Sequence, residues 1–488
     1  MSARSIVNAI AVVVVVVSGA APAAQPVFTG AEIFPSEEFA ARRAKVIRRI
    51  GDGVAILQGA TERPGEQPFR QNNQFFYLTG VVEPRAIAIV DGRAKKATVF
   101  LQPFNERREA RMFGPGLHPG GDAARATGLD AVLARDEFAN AVAAVAADGR
   151  VIYTPFRPEV LGEASSGDTV ALARATKTDP WDGRESREEA FVAKLRAAAP
   201  RCEIRDLDPI VDSLRSIKSP REIAVIREAT RITGDAIVEA MTHARPGMYE
   251  YQLQADAERI FKLNGSYGGS YFALIATGTN TFYSHYHRNT AKLADGDLVQ
   301  FDYAPDFKYY QSDVTRVFPA NGRFTPRQRE LYTIYLRLYQ ALMTSIRVHA
   351  AARDVIRDAV VKMDAIAAAY PFTDASIKAA TAAFVDGFRR NSDATGAGAP
   401  ERIVSLGHSV GMEVHDVSAA GPTLEPGMIF TIEPAMQIPE EHVGIRLEDM
   451  ILMTEAGYEN LSAAVPIEIA DIERVMSAKA AAPSPRRQ

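Results

Sequence analysis

A single cysteine, Cys202, occurs in the 488-residue sequence. One cysteine excludes an internal disulfide bond, so packing and bound ligands must stabilise the fold. It also excludes a zinc site made of several thiolates. Any metal must therefore be held by carboxylates and by the eight histidines.

The sequence also lacks a large excess of charge of either sign. Its 56 basic and 60 acidic residues give a net charge of -4. This balance provides no broad attraction to nucleic acid or to an anionic membrane surface. We therefore expect no nucleic-acid partner.

No apolar run near the N-terminus is long enough to span a bilayer. The run at residues 9–17 is well short of the roughly 20 residues required. Arg4 precedes it and the small residues 21–23 follow it, which is the pattern of a cleavable signal peptide. We predict a signal peptide over residues 1–23 and an exported protein, periplasmic or secreted, without a stable membrane span after cleavage. A membrane anchor is the alternative that the short run disfavours.

The length favours two domains, because single hydrophobic cores stop growing at roughly 250–300 residues. The motif Ser219-Pro220-Arg221-Glu222 combines a capping box with proline at the first helical position, so a new helix is expected there. We predict an N-terminal α/β domain over residues 24–210 and a second domain over residues 211–475. Residues 476–488 are small, basic and proline-containing, and they are predicted to form a disordered tail.

Hydrophobic periodicity predicts the elements of both domains. In the first, helices are predicted at residues 36–50, 139–147 and 187–198, and strands at 53–58, 75–78, 86–90 and 97–101. In the second, helices are predicted at 220–242, 250–264 and 325–350, and strands at 272–276, 297–303, 310–318, 428–433 and 445–453. The separate groups of helices and strands favour an α+β fold over a doubly wound sheet. Residues 392–400 are predicted to be a flexible loop.

Four acidic residues lie in or beside apolar strand sequence. Asp302 ends one predicted strand and Asp313 lies in the next, so a hairpin would place their Cβ atoms roughly 4.5–5.5 Å apart. Two carboxylates that close repel each other unless a cation lies between them. Glu433 and Glu448 also stand in apolar strand sequence, where an acid must be paired, protonated or bound to metal. Taken singly, an aspartate near a turn is usually a solvated or turn-capping residue, and the other acidic segments are what favour a metal site.

Two histidines belong to a glycine-containing segment at residues 405–416. His408 and His415 could each be a hydrogen-bonded core residue, because histidine is often structural. The glycines permit close approach of the backbone, and the neighbouring acids favour a ligand role.

The ordered set Asp302, Asp313, His408, Glu433 and Glu448 resembles aminopeptidase P and prolidase, of the pita-bread metallopeptidases. The similarity covers most of the chain, and the segments that carry it are residues 313–316, 408–416, 431–434 and 444–449, with residues 70–72 and 77–80 resembling the N-terminal domain of aminopeptidase P. The resemblance implies an α+β protein whose C-terminal pita-bread catalytic domain follows a smaller α/β domain. It also implies two divalent metal ions, of which Mn²⁺ suits the oxygen-rich ligands best, with Co²⁺, Zn²⁺ and Fe²⁺ left open.

The same resemblance implies roles for individual residues. Asp302 would hold one metal and His408 the other, Asp313 and Glu448 would bridge them, and Glu433 would bind metal and help to deprotonate the attacking water. His415 would polarise the scissile carbonyl, Arg446 would orient the site or counter its charge, and His285 would contact the substrate and the leaving amine. His287 stands two residues further on, on the same face of a strand, so either histidine can enter the site; we favour His285.

Two positions depart from the family pattern. Residues 302–305 read Asp-Tyr-Ala-Pro where the family often has Asp-Ala-Gly, and Gln74 stands where aminopeptidase P often has aspartate. The second departure leaves the recognition of the free substrate amine unassigned.

The predicted function is that of an Xaa-Pro aminopeptidase acting on proline-containing peptides. A prolidase, which cleaves dipeptides, is the alternative within the family. A non-catalytic peptide-binding protein on the same fold and a metal-free hydrolase resembling creatinase are disfavoured, because all five metal ligands are present. By resemblance alone, we expect a homodimer or homotetramer.

Overall fold

The computed structural model describes residues 30–63, 68–109, 111, 114–160, 163–393, 406–418, 421 and 423–478. The predicted signal peptide, the predicted loop beyond Asp393 and the tail beyond Ala478 lie outside these residues. Within these ranges, no helix is both long enough and apolar enough to cross a membrane.

A six-stranded mixed sheet forms the centre of the N-terminal domain. Its strands are β1 (Val54–Gln58), β2 (Ile87–Asp91), β3 (Lys96–Leu101), β4 (Ala131–Ala134), β5 (Ile152–Thr154) and β6 (Ile204–Asp206). Their order across the sheet is β4-β3-β2-β1-β5-β6. The pairs β1–β2 and β2–β3 are antiparallel, whereas the outer pairs are parallel.

Helices cover this sheet and link it to the second domain. They are α1 (Ser36–Ile50), α2 (Asn73–Thr79), α3 (Glu106–Arg108), α4 (Gly121–Thr127), α5 (Phe138–Asp148), α6 (Ser166–Thr178), α7 (Arg187–Ala198) and α8 (Asp208–Arg215). The predicted domain boundary, between residues 210 and 211, falls within α8.

The strand predicted at residues 75–78 is wrong, because these residues belong to α2. The Asn72 side chain accepts a hydrogen bond from the amide of Phe75, and Gly80 ends the helix with φ 65°. All seven residues of α2 are buried, so the sequence carries no polar face that would reveal the helical period.

The second domain contains small antiparallel sheets. Its strands are β7 (Gly268–Gly269), β8 (Leu274–Thr277), β9 (Leu298–Asp302), β10 (Pro305–Asp306), β11 (Thr315–Pro319), β12 (Ile429–Ile432), β13 (Ala435–Ile438), β14 (Val443–Arg446), β15 (Asp449–Thr454) and β16 (Gly457–Asn460). The sheets have the orders β11-β9-β8, β12-β15-β16, β13-β14 and β10-β7. The single strand predicted at residues 445–453 is therefore two strands, in different sheets, and Glu448 lies between them.

In the described part of the second domain, α-helices pack around these sheets. They are α9 (Pro220–His243), α10 (Glu250–Leu263), α11 (Pro326–Met343), α12 (Ala352–Ala369), α13 (Ala375–Asp393) and α14 (Ile469–Ser477). The predicted capping box at Ser219 is present, since its side chain accepts from the amide of Glu222. The helix predicted to reach residue 350 ends at Met343, because the next two hydroxyl side chains bond back to the carbonyl of Ala341.

The two domains share a buried aromatic and polar interface. The Phe76 ring of the first domain stacks on Tyr309 of the second, with ring centroids 3.8 Å apart. Arg70 forms an ion pair with Asp306 at 2.5 Å. These contacts place α2 directly beside the hairpin that carries the aspartates, and the grouping of helices and strands confirms the predicted α+β class.

Candidate active site

Two aspartates meet beside the sheet β11-β9-β8. Asp302 is the last residue of β9, and its cross-strand partner is Thr315, the first residue of β11. The prediction that Asp313 lies directly opposite Asp302 is therefore wrong, because Asp313 precedes β11 by two residues. Both carboxylates nevertheless contact one hydroxyl: Tyr271 Oη lies 2.5 Å from Asp302 Oδ1 and 2.6 Å from Asp313 Oδ1.

His408 reaches the same point from the opposite side. Its Nε2 lies 3.1 Å from Glu433 Oε1, 3.4 Å from Asp313 Oδ2 and 3.9 Å from Glu448 Oε1. Glu433 follows β12, and Glu448 follows β14. The five side chains predicted as metal ligands are therefore brought together.

The backbone before His408 is fixed by the strand β12. The amide of His408 donates to Thr431 Oγ1 at 3.1 Å, and its carbonyl accepts from the Thr431 amide at 2.9 Å. A Cβ atom on Gly407 would lie 2.0 Å from the Thr431 carbonyl oxygen. The glycine thus permits the close approach that places the imidazole among the acids.

Burial sets the protonation of these groups. It raises the pKa of Asp302 to about 7, and together with repulsion from Asp313 and Glu433 it raises the pKa of Glu448 well above its usual range. Burial disfavours the charged form of His408, but contacts with Asp313 and Glu433 outweigh it and raise the pKa of His408 to about 10. Without added positive charge, Asp302 and Glu448 therefore hold their protons at neutral pH more tightly than free carboxylic acids in water do.

Arg446 supplies one positive charge to the cluster. It forms an ion pair with Asp302, and its Nη1 donates to the carbonyl of Ser284 at 3.3 Å. Its side chain is buried, so the guanidinium is held in one orientation. The cluster therefore contains two groups that can carry positive charge, one guanidinium and one imidazole, against four carboxylates.

The donor set fits divalent cations. Asp313, His408 and Glu448 each offer a ligand atom, and the three atoms lie within 4.8 Å of one another. Glu448 Oε1 is buried and makes no hydrogen bond to the described part of the chain. A buried anionic oxygen of this kind needs a positive partner. Carboxylates with a single imidazole suit hard or intermediate divalent metals.

A cavity of about 270 Å³ opens onto these groups. Its lining residues are Glu163, Ala164, Asp168, Tyr271, Phe272, Leu274, His285, Asp302, Asp313, His408, Val414, His415, Glu433 and Arg446. His285 lines the cavity, whereas His287 packs on the ring of Phe272, with centroids 4.9 Å apart, and is not among the lining residues. All the predicted site residues except Glu448 therefore line this space, and Glu448 offers a ligand atom within 4.8 Å of those of Asp313 and His408.

His415 stands beside His408, with ring centroids 4.2 Å apart and planes at 81°. Burial and the neighbouring imidazole lower the pKa of His415. It is therefore neutral at neutral pH and can donate one N–H hydrogen bond into the cavity.

Sequence reasoning missed several residues of the site. Tyr271 joins the two aspartates, and Thr315 donates to Glu448 Oε2 at 2.7 Å. Thr315 had a signal, because it lies two residues from Asp313 within a predicted strand. Tyr271 only precedes a predicted strand, and Asp168 reaches the cavity through tertiary packing of the other domain.

The two departures from the family pattern have structural roles. Tyr303 is buried and packs edge-on against Phe261 and Tyr271. Gln74 donates to Asp208 Oδ1 at 2.6 Å and does not line the cavity. The Gln74 side chain thus links α2 to α8 by a hydrogen bond and does not face the cavity.

Comparisons with known proteins agree with the fold and with the predicted family. Residues 224–455 match the metallopeptidase family M24, and residues 39–153 match the aminopeptidase P N-terminal domain. The Xaa-Pro aminopeptidases of Escherichia coli and Haemophilus influenzae are 32% and 30% identical, over 91% of this chain and 98% of each relative.

Solved structures give the same result. Aminopeptidase P from Escherichia coli with the inhibitor Pro-Leu has a TM-score of 0.69 and 30% identity, over 91% of this chain and 98% of that one. Proline aminopeptidase P II from Yersinia pestis has a TM-score of 0.69 and 31% identity, over 90% and 99%. The predicted family is confirmed: the chain belongs to the aminopeptidase P family of metal-dependent peptidases.

Proposed function

We propose that this protein removes the first residue from peptides whose second residue is proline, by metal-dependent hydrolysis. The observation that carries the proposal is the convergence of Asp302, Asp313, His408, Glu433 and Glu448 in one side-chain cluster that borders a cavity. Two Xaa-Pro aminopeptidases match this chain over nearly their whole length, which favours this activity over that of a prolidase. The intact ligand set opposes a non-catalytic or metal-free role.

The five side chains would hold two divalent cations, with Mn²⁺ favoured by the four carboxylates. Asp302 would bind one ion and His408 the other, while Asp313 and Glu448 would bind both. Bound divalent cations supply positive charge to the reacting carbonyl and acidify water. Tyr271 and Thr315 orient three of the carboxylates through hydrogen bonds of 2.5–2.7 Å.

Three further residues act on the peptide and on protons. Glu433 is the most exposed of the ligand carboxylates, at 27%, so it can accept a proton from the attacking water. The neutral ring of His415 donates a hydrogen bond to the scissile carbonyl, which strengthens as negative charge develops on that oxygen. His285 contacts the substrate at the leaving proline nitrogen.

Export and assembly are part of the same proposal. We infer a signal peptide over residues 1–23 and a periplasmic or secreted enzyme that forms a dimer or tetramer. The positive charge of Arg4, the apolar run at residues 9–17 and the small residues 21–23 support export. N-terminal sequencing of the exported protein and its mass in solution test both points; an uncleaved Met1 or a monomer would contradict the respective inference.

A peptide series tests the activity. Purified protein with Mn²⁺ is offered an Xaa-Pro dipeptide, an Xaa-Pro tripeptide and longer peptides, and matched peptides with alanine in place of proline. We expect cleavage of the first bond in the longer proline peptides and loss of activity after chelation. Full activity after complete removal of metal, or cleavage of the dipeptide alone, would reject the proposal.

Two variants separate metal binding from turnover. Glu448→Gln should lose metal and activity together, because a neutral amide replaces an anionic ligand that both cations would share. His415→Ala should retain metal and lose about 100-fold or more in kcat, as expected for one oxyanion contact. The exposed Glu455→Gln, in the turn before β16, is the matched control and should resemble the wild type.

A further inference from the structure

Residues 283–291, the His285 loop, belong to no helix or strand. His285 is exposed in this loop, yet its side chain lines the active-site cavity. Because the loop lacks the hydrogen bonds of regular structure, other contacts must set its position. Those contacts therefore decide where the imidazole of His285 stands.

Glu250, the first residue of α10, contacts the chain before, within and at the end of this loop. Its side chain is fully buried. Its Oε1 accepts hydrogen bonds from the amide of Thr277 at 2.8 Å and from Asn280 Nδ2 at 3.2 Å, in the segment that leads into the loop. Its Oε2 accepts from the hydroxyl of Tyr286 at 2.8 Å and from the amide of Ala291 at 2.9 Å. One carboxylate thus connects three points of the loop and its approach.

The charge of Glu250 is balanced by these donors and by its own helix. Among the described residues, no Arg, Lys or His forms an ion pair with it. As the first residue of α10, it stands at the positive end of the helix dipole, which favours a negative charge there. Hydrogen bonds to a charged acceptor are stronger than those to a neutral one, so the carboxylate holds the loop better than an amide would.

The residues on either side of His285 are each held by a charged side chain. Tyr286 follows His285 and donates to Glu250, and Ser284 precedes it and accepts from Arg446 at 3.3 Å. Arg446 lines the cavity, whereas Glu250 is not among the lining residues. One of the two supports of His285 therefore lies outside the active site.

We propose that Glu250 is a positioning residue, which holds the loop through Tyr286 so that His285 stands at the leaving proline nitrogen, an inference that rests on the proposed function. Glu250 does not touch the peptide and acts on it through His285. A displacement of about 1 Å in a group that contacts the reacting atoms can cost about 100-fold in rate. Loss of the Glu250 charge should therefore lower turnover although no catalytic group is removed.

The first test replaces the carboxylate with an amide of the same shape. In Glu250→Gln an NH₂ group takes the place of one acceptor oxygen, so in either orientation two of the four donors face another donor. With Leu-Pro-Ala and Mn²⁺, kcat should fall about 10- to 100-fold while the metal content stays that of the wild type. Glu250→Asp keeps two acceptor oxygens on a shorter side chain and should recover part of the lost turnover.

A double-mutant cycle with His285→Ala identifies the route of the effect. If Glu250 acts through His285, the double variant should have the kcat of His285→Ala alone, because the position of an absent imidazole no longer matters. A further loss in the double variant, equal to that of Glu250→Gln in the wild type, would overturn the proposal.

Tyr286→Phe removes a single donor and keeps the test valid if Glu250→Gln fails to fold. It should lower kcat by a smaller factor than Glu250→Gln does. Tyr283→Phe, in the same loop and 52% exposed, should match the wild type. Asp256→Asn, further along α10, removes a carboxylate that contacts His243 and should match it as well. Wild-type turnover in Glu250→Gln or in Tyr286→Phe would overturn the proposal.

Amide hydrogen exchange separates this inference from the proposed function. In Glu250→Gln, exchange should rise about tenfold or more at the amide of Thr277 or of Ala291, whichever faces the new NH₂ group. If the wild type with Mn²⁺ cleaves no Xaa-Pro peptide, the proposed function fails, and exchange still decides whether Glu250 holds the loop. Wild-type exchange at both amides would overturn the positioning role.

Discussion

Buried carboxylates in this molecule differ in what balances their charge. Asp449 accepts hydrogen bonds from Arg316, Tyr339 and Ser462 at 2.6–2.7 Å, and although burial opposes ionisation these contacts lower its pKa. Glu448 accepts a hydrogen bond from Thr315 at one oxygen, and its other oxygen has no hydrogen-bond donor in the described part of the chain, so this acid depends on a cation. The hydrogen-bond partners of a buried acid therefore indicate whether the acid has a structural role or binds metal.

Tyr271 is the hydroxyl through which Asp302 and Asp313 are oriented. Tyr271→Phe removes this donor with little change in shape. We expect the metal affinity to fall about 10- to 100-fold and kcat to fall with it, as is usual when a partner of a metal ligand is lost. Metal titration by calorimetry measures the affinity, with the half-exposed Tyr251→Phe as control. Unchanged affinity and turnover would contradict this role.

Glu188, in the first turn of α7, gives a prediction for stability against pH. Burial and the charge of Glu159 raise its pKa to about 7, from 4.5. The folded state therefore binds this proton more tightly, and the resulting stabilisation is complete below pH 4.5 and is lost as pH rises through 7. Relative to wild type, Glu188→Gln should gain up to about 3 kcal/mol between pH 5 and pH 8.

Urea unfolding at both pH values measures this difference. The control is Glu185→Gln, three residues away and exposed, whose stability relative to wild type should not vary with pH. A constant difference between wild type and Glu188→Gln across the range would show that Glu188 is ionised in the folded protein.

At the residue scale, the sequence predicts identities better than contacts. The five ligand types could be predicted because a metal site needs acids and imidazole in a recognisable order. Tyr271 and Asp168 could not, since a tyrosine before a strand and an aspartate at a helix start are common without any site. Their places at the cavity arise only when distant segments pack together.

At the scale of elements, helices with caps were predictable and short buried elements were not. The helix starts at Ser219 and Thr325 carry side chains that satisfy free amides, and both caps are present. In α2 every residue is buried, so local sequence does not distinguish helix from strand. The register of β9 and β11 depends on the intervening β10, whose pairing with β7 involves residues more than 30 positions away.

The loop with His408 and His415 depends on a buried ion pair at the end of α8. Arg215 contacts Glu413 at 2.8 Å and Asp416 at 2.5 Å, and all three side chains are 1% exposed. Arg215→Gln leaves two buried carboxylates short of positive charge. We expect the free energy of unfolding to fall by about 3–5 kcal/mol.

An exposed pair provides the comparison. Arg389 contacts Asp364 at 2.8 Å on the surface, and Arg389→Gln should cost less than about 1 kcal/mol. Denaturant unfolding of both variants measures the costs. If Arg215→Gln were as mild as Arg389→Gln, the buried network would not stabilise the loop.

At the scale of the whole molecule, the domain interface completes the active site. The hydrogen bonds from Ser166 to Glu413 cross between the domains, and so do the stack of Phe76 on Tyr309 and the pair of Arg70 with Asp306. The sequence predicted two domains but no interface, because residues that meet there are separated by more than 190 positions. Cavity shape is therefore a property of both domains together.

This interface predicts that the two domains unfold as one unit. Phe76 is fully buried, stacks on Tyr309 and packs edge-on against Phe39. Phe76→Ala should cost about 3–5 kcal/mol, the range for an aromatic ring removed from a core. Because opening one domain exposes the shared surface, the loss should appear in both domains. Amide hydrogen exchange measures this loss, with protection falling in β2 of the first domain and in β9 of the second.

Phe100→Ala, in the N-terminal core away from the interface, is the sharper test of coupling. Independent domains would leave exchange in β9 unchanged, whereas coupled domains would lose protection there as well.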